Sequence, residues 1–330
     1  MRVDPYDTDR QIVFSRRAAL TGGVASLLFA GVGFRLYQLQ VVEHEAYQTK
    51  SRENQFNQRV VPPLRGEILD RFGEPLATNR KNFRILLVPE QTKSVEESLT
   101  ALSRLIELPN DKRNKILNEA ARKRSFIPIE VEDNLSWEDF ARVNLEGPHL
   151  PGVQPNAGDT REYPLKDIAA LVVGYVGPVT DRDLSREEEA ERLLLRQPGF
   201  RIGQKGVEKT FETKLRGAAG SMTVEVNAHG RVIDERPHEG NDPVQGETAV
   251  LTIDAELQAV AMKELEGESG AAVVMDVKTG EVLVMASSPA FDPNDFNVGI
   301  NAQKWRELNA SPYKPLLNKP LSGTYPPGST

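Results

Sequence analysis

Cysteine is absent from the 330 residues. That excludes disulfides, thiolate catalysis and cysteine metal sites, and it is neutral on compartment. Histidine is scarce. His44, His149, His229 and His238 are the whole set, and no two stand at a metal-ligand spacing such as i, i+4. They read as surface or turn residues, so no metal and no cofactor is expected. Positive charge is in deficit: the net charge of −7 argues against binding nucleic acid through bulk charge. Internal repeats and low-complexity tracts are missing too. What remains, 39% apolar and 27% charged residues, fits a folded globular chain. The length suits about two or three domains.

Long uncharged runs are also missing, with one exception. Ala18 to Phe34 reads AALTGGVASLLFAGVGF. As a helix it spans about 26 Å, slightly short of a hydrocarbon core of about 30 Å. Arg35 can snorkel, and Leu36, Leu39, Val41 and Val42 can extend the span. This predicts a transmembrane anchor over 18–42. Arg16 and Arg17 precede it, which places residues 1–17 in the cytoplasm and the bulk of the chain across the membrane. A cleaved signal peptide fits less well, because no A-x-A-like site with a polar mature start follows. A buried soluble helix seldom has such polarised flanks. Ser15-Arg16-Arg17 has the look of a twin-arginine signal, but paired arginines before an anchor are more often topology determinants. Ala18, Gly22, Ser26 and Ala30 recur every four residues. That small-residue stripe would let another membrane helix approach closely, as a polytopic partner would.

The middle of the chain reads as mixed α+β. Arg35 to about Asn57 reads as a helix leaving the membrane, and Val60-Val61-Pro62-Pro63 ends it. Ile68-Leu69 and Leu76-Ala77 flank Asp70-Arg71-Phe72-Gly73, a hairpin pattern, and Phe83 to Val88 is another strand. Ser94 with Glu97, and Ser136 with Asp139, are capping boxes before apolar-periodic runs. Asp181 to Gln197 reads as one charge-rich helix with a solvated face. Gly206 to Leu215 is a shorter helix stopped by Gly217. Ser221 to Arg236 alternates around Asn227-Ala228-His229-Gly230, a hairpin. No cluster of catalytic residue types stands out here, so the region reads as a spacer and interaction module.

The last ninety residues carry the chemistry. Glu247 to Ile253 is a strand, and Asp254 caps a helix to about Leu265. Ala271–Val277 and Glu281–Ser287 are strands joined by Lys278-Thr279-Gly280. They are apolar on both faces in places, so the hairpin is expected centrally in a sheet covered by helices. The chain closes on Tyr325-Pro326-Pro327-Gly328-Ser329-Thr330. A rigid Pro-Pro-Gly turn can deliver Ser329 to the start of a helix, beside unpaired N–H groups that stabilise an oxyanion. A serine needs a base, and in serine–lysine acyl transferases that base is a lysine three residues on. That position lies two beyond Thr330. Two look-alikes do not replace it. Lys278-Thr279-Gly280 precedes Ser329 and sits between strands, so it reads as a turn. Ser311-Pro312-Tyr313-Lys314 spells S-x-x-K, but Pro312 and Pro315 oppose the required helix, so it reads as loop.

From Arg35 onward the chain resembles the class B penicillin-binding proteins. The matching stretches are RLYQLQVVE from Arg35, PPLRGEILDRFGEPLATN from Pro62, GQKGVEKTFETKLRG from Gly203 and VEVNAHGRV from Val224. They continue with LTIDAELQ from Leu251, GAAVVMDVKTGEVLVMASSPAFDPNDF from Gly270 and PLLNKPLSGTYPPGST from Pro315. Leu86 to Glu90 and Gly203 to Gly217 place it nearest the elongation-specific branch, penicillin-binding protein 2. The division-specific branch, penicillin-binding protein 3, is the runner-up. The resemblance implies an α+β chain in four parts: a cytoplasmic tail (1–17), a transmembrane helix (18–42), a periplasmic pedestal or dimerisation domain (43–240), and the N-terminal part of a penicillin-binding/β-lactamase-like transpeptidase domain (241–330). It implies a bacterial inner-membrane protein with its bulk in the periplasm. Its activity would be D,D-transpeptidation, in which Ser329 attacks the D-Ala–D-Ala carbonyl of peptidoglycan stem peptides, and β-lactams would trap the same serine. Its partner would be a polytopic glycan polymerase of the shape and division (SEDS) class within the elongation machinery.

The resemblance also sets an expectation about this chain. The lysine after Ser329, an S-x-N triad and a later K-T-G are not among its residues, so acylation by the chain as given is not expected. The residues after about Glu247 should be less stable than the pedestal. Two other function classes compete: a non-catalytic anchored pedestal that recruits a polymerase, and a β-lactam sensor. The sensor is disfavoured by a single membrane segment.

Overall fold

The computed structural model describes residues 5–38, 40, 56–226 and 232–324. The chain forms two compact units, Met1–Gln58 with Thr223–Pro237, and Arg59–Met222 with His238–Thr330. The first unit carries the Pro5–Tyr37 helix. Its Leu27, Leu28, Phe29 and Phe34 side chains are exposed. Among the described residues no helix is long and apolar enough to cross a membrane. The described side chains of this helix begin at Thr21, inside the uncharged run that starts at Ala18, and Val41 and Val42 lie outside the described residues.

In the second unit the local signals set the frame. Strand β1 is Phe56–Val61, so the helix expected to run to about Asn57 has given way to extended chain by Phe56; β1 begins in the first unit and ends in the second. Strand β2 is Ile68–Leu69 and β3 is Pro75–Leu87. Strands β2 and β3 form the expected hairpin, with Ile68 opposite Ala77. Asp70 builds its turn: one carboxylate oxygen accepts from the Phe72 and Glu74 amides, each at 2.8 Å. The other accepts from the Ala255 amide at 3.2 Å. Burial alone would raise the Asp70 pKa, but these backbone donors outweigh it and hold it below the usual value. The strand expected at 83–88 is not separate, because β3 runs 13 residues without a break. Its apolar end pairs with β4 (Ile129–Glu132) on one side and β5 (Val153–Glu162) on the other. Ile85 and Leu87 thereby face a core built with Leu99, Leu102, Ile116 and Val143 from three helices. Burying each such side chain stabilises the fold by about 1.5–3 kcal/mol.

Those helices start where the capping residues say. Ser94 accepts from the Glu97 amide at 3.3 Å and opens Val95–Leu102. Ser136 accepts from the Asp139 amide at 3.0 Å and opens Trp137–Glu146. The third, Asn110–Arg122, brings Ile116 to the core.

Two further helical expectations need correction. The single helix over 181–197 is two short ones, Asp181–Leu184 and Glu189–Leu195. A Thr180–Asp183 capping box closes one end of the first. At its other end, Arg192 Nε donates to the Leu184 and Glu187 carbonyls at 3.0 and 2.9 Å. The break lets Leu194 and Leu195 turn inward and be buried. Likewise 206–215 splits at Phe211 into Gly206–Thr210 and Glu212–Arg216. Gly217 then ends it at φ 74°, a conformation glycine adopts without strain.

Between these lie β6 (Val176–Pro178) and β7 (Arg201–Gly203), an antiparallel pair. Strands β8 (Gly220–Val226) and β9 (Val232–Asn241) are neighbours in a sheet of order β1-β8-β9. The turn of that hairpin, with His229, lies outside the described residues. Strand β10 is only Ala249–Val250, shorter than the expected 247–253, and pairs parallel with β2. Asp254 then caps Ala255–Glu264, accepting from the Leu257 amide at 3.0 Å.

The last hairpin is β11 (Gly270–Met275) with β12 (Val282–Ser288). Asp276 accepts from the Lys278 and Thr279 amides at 2.7 and 3.0 Å, so Lys278-Thr279-Gly280 is a turn. Its expected central place in a covered sheet is not met. Among the described residues β11 and β12 form a two-stranded sheet. Strand β12 backs onto its neighbours and buries Val284 and Ala286, whereas Val273, Val274 and Met275 on β11 are exposed.

Candidate active-site approach

The segment that leads to Ser329 is held by amide side chains that cross long sequence distances. Asn318 caps Lys319–Ser322 and donates to the Leu171 carbonyl at 3.0 Å. Asn294 and Tyr163 exchange two bonds, at 3.0 and 2.9 Å. Asn297 donates to the Arg161 carbonyl. Gln258 donates to the Ile168 and Met285 carbonyls, at 2.9 and 3.1 Å, and accepts from the Met285 amide at 2.9 Å. A buried primary amide must find such partners or lose about 1–3 kcal/mol per unmet bond. The backbone from Arg161 to Leu171 is therefore a rail on which β12 and the 294–318 segment are seated. Phe291 and Phe296 pack on Tyr175 beside it, with Tyr175 and Phe296 stacked at 4.0 Å.

Ser287 closes the arrangement. Its hydroxyl donates to the Leu317 carbonyl at 3.3 Å and accepts from the Lys319 amide at 3.2 Å. Lys319 is 4% exposed, and its Nζ has no hydrogen-bond partner among the described residues. Burial lowers its pKa below the ordinary lysine value. Ser311 to Lys314 is a turn, as the flanking prolines required.

Ser329 itself lies outside the described residues, as do the rest of Tyr325–Thr330. Of the small-residue stripe, Gly22, Ser26 and Ala30 are exposed on the Pro5–Tyr37 helix, and a Cβ at Gly22 would meet nothing within 4 Å. The side chain of Ala18 is outside the described set.

Sequence reasoning missed a buried charge cluster. Glu208 is fully buried and accepts from Arg65 Nε and Arg161 Nε, each at 2.7 Å, and from the Tyr163 hydroxyl at 3.3 Å. Glu212 accepts from Arg65 at 2.6 Å and from the Gly203 amide at 2.7 Å. The Tyr163 hydroxyl in turn accepts from the Val176 amide at 2.9 Å. Burial works against the Arg65 charge, but the two carboxylates outweigh it and raise its pKa above the ordinary value. Burial, and then Glu208, push the Tyr163 pKa well up, so it stays a neutral phenol. The cluster ties the Pro62–Arg65 entry, β5, β6 and the 206–216 helices together. It fixes structure and supplies no reactive group. The partners Arg65 and Glu208 are 143 residues apart, so no local pattern announces them.

Two family models match the chain. The penicillin-binding protein dimerisation domain matches residues 60–251, and the penicillin-binding protein transpeptidase domain matches residues 270–330. The chain belongs to the class B penicillin-binding proteins. It is 37% identical over 324 residues to the peptidoglycan D,D-transpeptidase MrdA of Escherichia coli K12, covering 98% of this chain and 51% of that protein. The MrdA of Haemophilus influenzae is 34% identical over 319 residues, covering 96% and 48%. Among solved structures, the complex between penicillin-binding protein PBP2 and MreC from Helicobacter pylori matches with a TM-score of 0.67 and 29% identity. That match covers 80% of this chain and 48% of the other. The chain thus spans about half the length of the relatives it matches.

Proposed function

We propose that this chain supplies the anchor, the pedestal and the nucleophile of a peptidoglycan D,D-transpeptidase that cross-links the cell wall during elongation. The observation that carries the reading is the position of Ser329 inside the stretch matched by the transpeptidase domain, in a chain related to D,D-transpeptidases over nearly all its length. The chemistry follows from the residue. Ser329 Oγ attacks the D-Ala–D-Ala carbonyl while its proton passes to a base. The C–N bond breaks, the terminal D-Ala leaves with a proton, and an ester joins the donor peptide to Ser329. An amine of a neighbouring stem peptide then attacks the ester, the C–O bond breaks, and Oγ recovers its proton. A lysine one helical turn beyond Ser329 would be that base. A β-lactam would acylate the same oxygen.

The packing supports this role for the described residues. Asn318, Ser287 and Gln258 hold both sides of the segment that leads to the Pro326-Pro327-Gly328 turn, and an acyl-transfer site needs its nucleophile placed to within fractions of an ångström. In a protein that continues beyond Thr330 as the relatives do, Ser329→Ala should cut D-Ala release from a pentapeptide donor by about 10⁴-fold or more. Unchanged release would assign the chain to the non-catalytic class.

The anchor, the four-part division at residues 17, 42 and 240, and the partners belong to the same proposal. Arg16, Arg17 and the exposed apolar side chains from Leu27 to Phe34 support a single inner-membrane pass with the bulk in the periplasm. Alkaline carbonate extraction should leave the protein in the membrane pellet, and release to the supernatant would remove the anchor. A polymerase helix of the SEDS class would pack on Ala18, Gly22, Ser26 and Ala30. Gly22→Leu with Ser26→Leu should then weaken co-purification with it. The Helicobacter relative solved with MreC supports placing the protein in the elongation machinery.

A further inference from the structure

A cavity of about 390 Å³ opens in the second unit beside β3 and β5, within the range of small-molecule sites, about 300–1,000 Å³. Its wall carries six arginines, Arg59, Arg65, Arg84, Arg161, Arg201 and Arg216, and a single carboxylate, Asp159. Several of these charges are balanced internally. Arg65 and Arg161 share Glu208, and Arg201 reaches Asp133 at 3.2 Å. Arg216 has looser contacts to Glu187 and Glu191, at 3.6 and 3.5 Å. Asp159 is itself engaged by Lys81 at 3.0 Å.

Arg84 is different. It is only 9% exposed, yet it forms no ion pair among the described residues. One terminal nitrogen donates to the Pro198 carbonyl at 2.9 Å, and its Nε is buried without a partner. Glu130 stands close by, near Gly199. Burial raises the Glu130 pKa, and Asp133 adds to that against the pull of Arg201, Arg84 and Lys112. The fold makes room for this guanidinium deliberately: a Cβ at Gly158 or at Gly199, whose φ is +73°, would collide with it. Arg161 and Arg216 each add one further buried nitrogen without a partner. A buried guanidinium whose neighbouring carboxylate, Glu130, makes no direct ion pair with it is incompletely compensated, and its planar fork matches a carboxylate or phosphate better than it matches water.

We infer that this cavity is an oxyanion-binding site in the pedestal, where Arg84 receives a phosphate or carboxylate group of a small ligand. The wall shares Arg161 with the rail that seats the segment leading to Ser329, but the site does not depend on the transpeptidase reading.

The test is calorimetric titration of the full chain with pyrophosphate and, separately, with citrate, at ionic strength matched with sodium chloride. At least one should bind saturably at millimolar concentration or below, and whichever binds identifies phosphate or carboxylate as the source chemistry. Arg84→Gln should weaken that binding by about tenfold or more, the effect of one charge-assisted contact. Asp159→Asn, which removes the one negative charge on the wall at a partly exposed position, should tighten it. This second variant keeps the test decisive if Arg84→Gln folds poorly. Absence of saturable binding by both anions, or affinity unchanged in both variants, overturns the proposal.

Discussion

Strands β3 and β11 are both apolar, and they differ in what surrounds them. The Ile85-Leu86-Leu87 end of β3 has β4 on one edge and β5 on the other, and helices cover the face that carries Ile85 and Leu87. The Val273-Val274-Met275 end of β11 has β12 alone among the described residues and stays exposed. Apolar pattern states a demand for cover and does not say who meets it. In the 60–251 region the demand is met by the chain's own helices. In the 270–324 region the inner strand, β12, is met and the outer strand is not.

That contrast is testable by substitution, with the largest effects in the first region. Glu208→Gln leaves Arg65 and Arg161 without their shared charge. Breaking such a buried network should cost about 3–5 kcal/mol, read from urea denaturation, and a loss under 1 kcal/mol would show that water compensates. Leu99→Ala removes a fully buried core side chain and should cost about 2–5 kcal/mol.

Asp70→Ala tests the turn that joins β2 to β3 and should cost about 1–3 kcal/mol near neutral pH. The sign of its pH dependence is defined. The folded carboxyl has a pKa below its ordinary 3.8, so its contribution is present above that value and is lost as pH falls through the folded pKa. Wild type and Asp70→Ala should therefore converge in stability in acid. A gap that persists at low pH would mean that packing, and not the carboxylate, is responsible.

Lys319→Met should work in the opposite direction. Burial lowers the Lys319 pKa below 10.5. Between the folded and unfolded values the folded state binds fewer protons, so stability rises with pH through that window. Replacing the buried ammonium should raise neutral stability by on the order of 1 kcal/mol and flatten the alkaline slope. The smallest effect is expected at Val277, which is 96% exposed. Val277→Thr should stay within about 0.5 kcal/mol; a larger loss would show that the turn between β11 and β12 is covered in solution.

The legible part of the fold was local. Ser94, Ser136 and Asp254 each cap the helix that their spacing announced, because a cap and its amide are three residues apart. The Ile68–Ala77 hairpin and the Lys278-Thr279-Gly280 turn were legible for the same reason. The break at 185–188 was not. It depends on Arg192 reaching back to two carbonyls and on burial of Leu194 and Leu195, and both are tertiary effects that override helix propensity. The Glu208 contacts and the amide side chains on the 161–171 rail were equally invisible, since the partners of Glu208 lie 45 to 143 residues away and those of the amides 27 to 147. For the site, the sequence pointed to Ser329 by its turn chemistry and its family pattern. The groups that seat the approach to it, Asn318, Ser287 and Gln258, come from three separate elements and carry no motif.

The most direct test of the account is the site of covalent capture. A protein that carries this chain and continues as its relatives do should be treated with a fluorescent penicillin and digested, and the labelled peptide identified by mass spectrometry. The account predicts one adduct, on Ser329, that disappears in Ser329→Ala. Label on another residue, or label that survives that substitution, would contradict it.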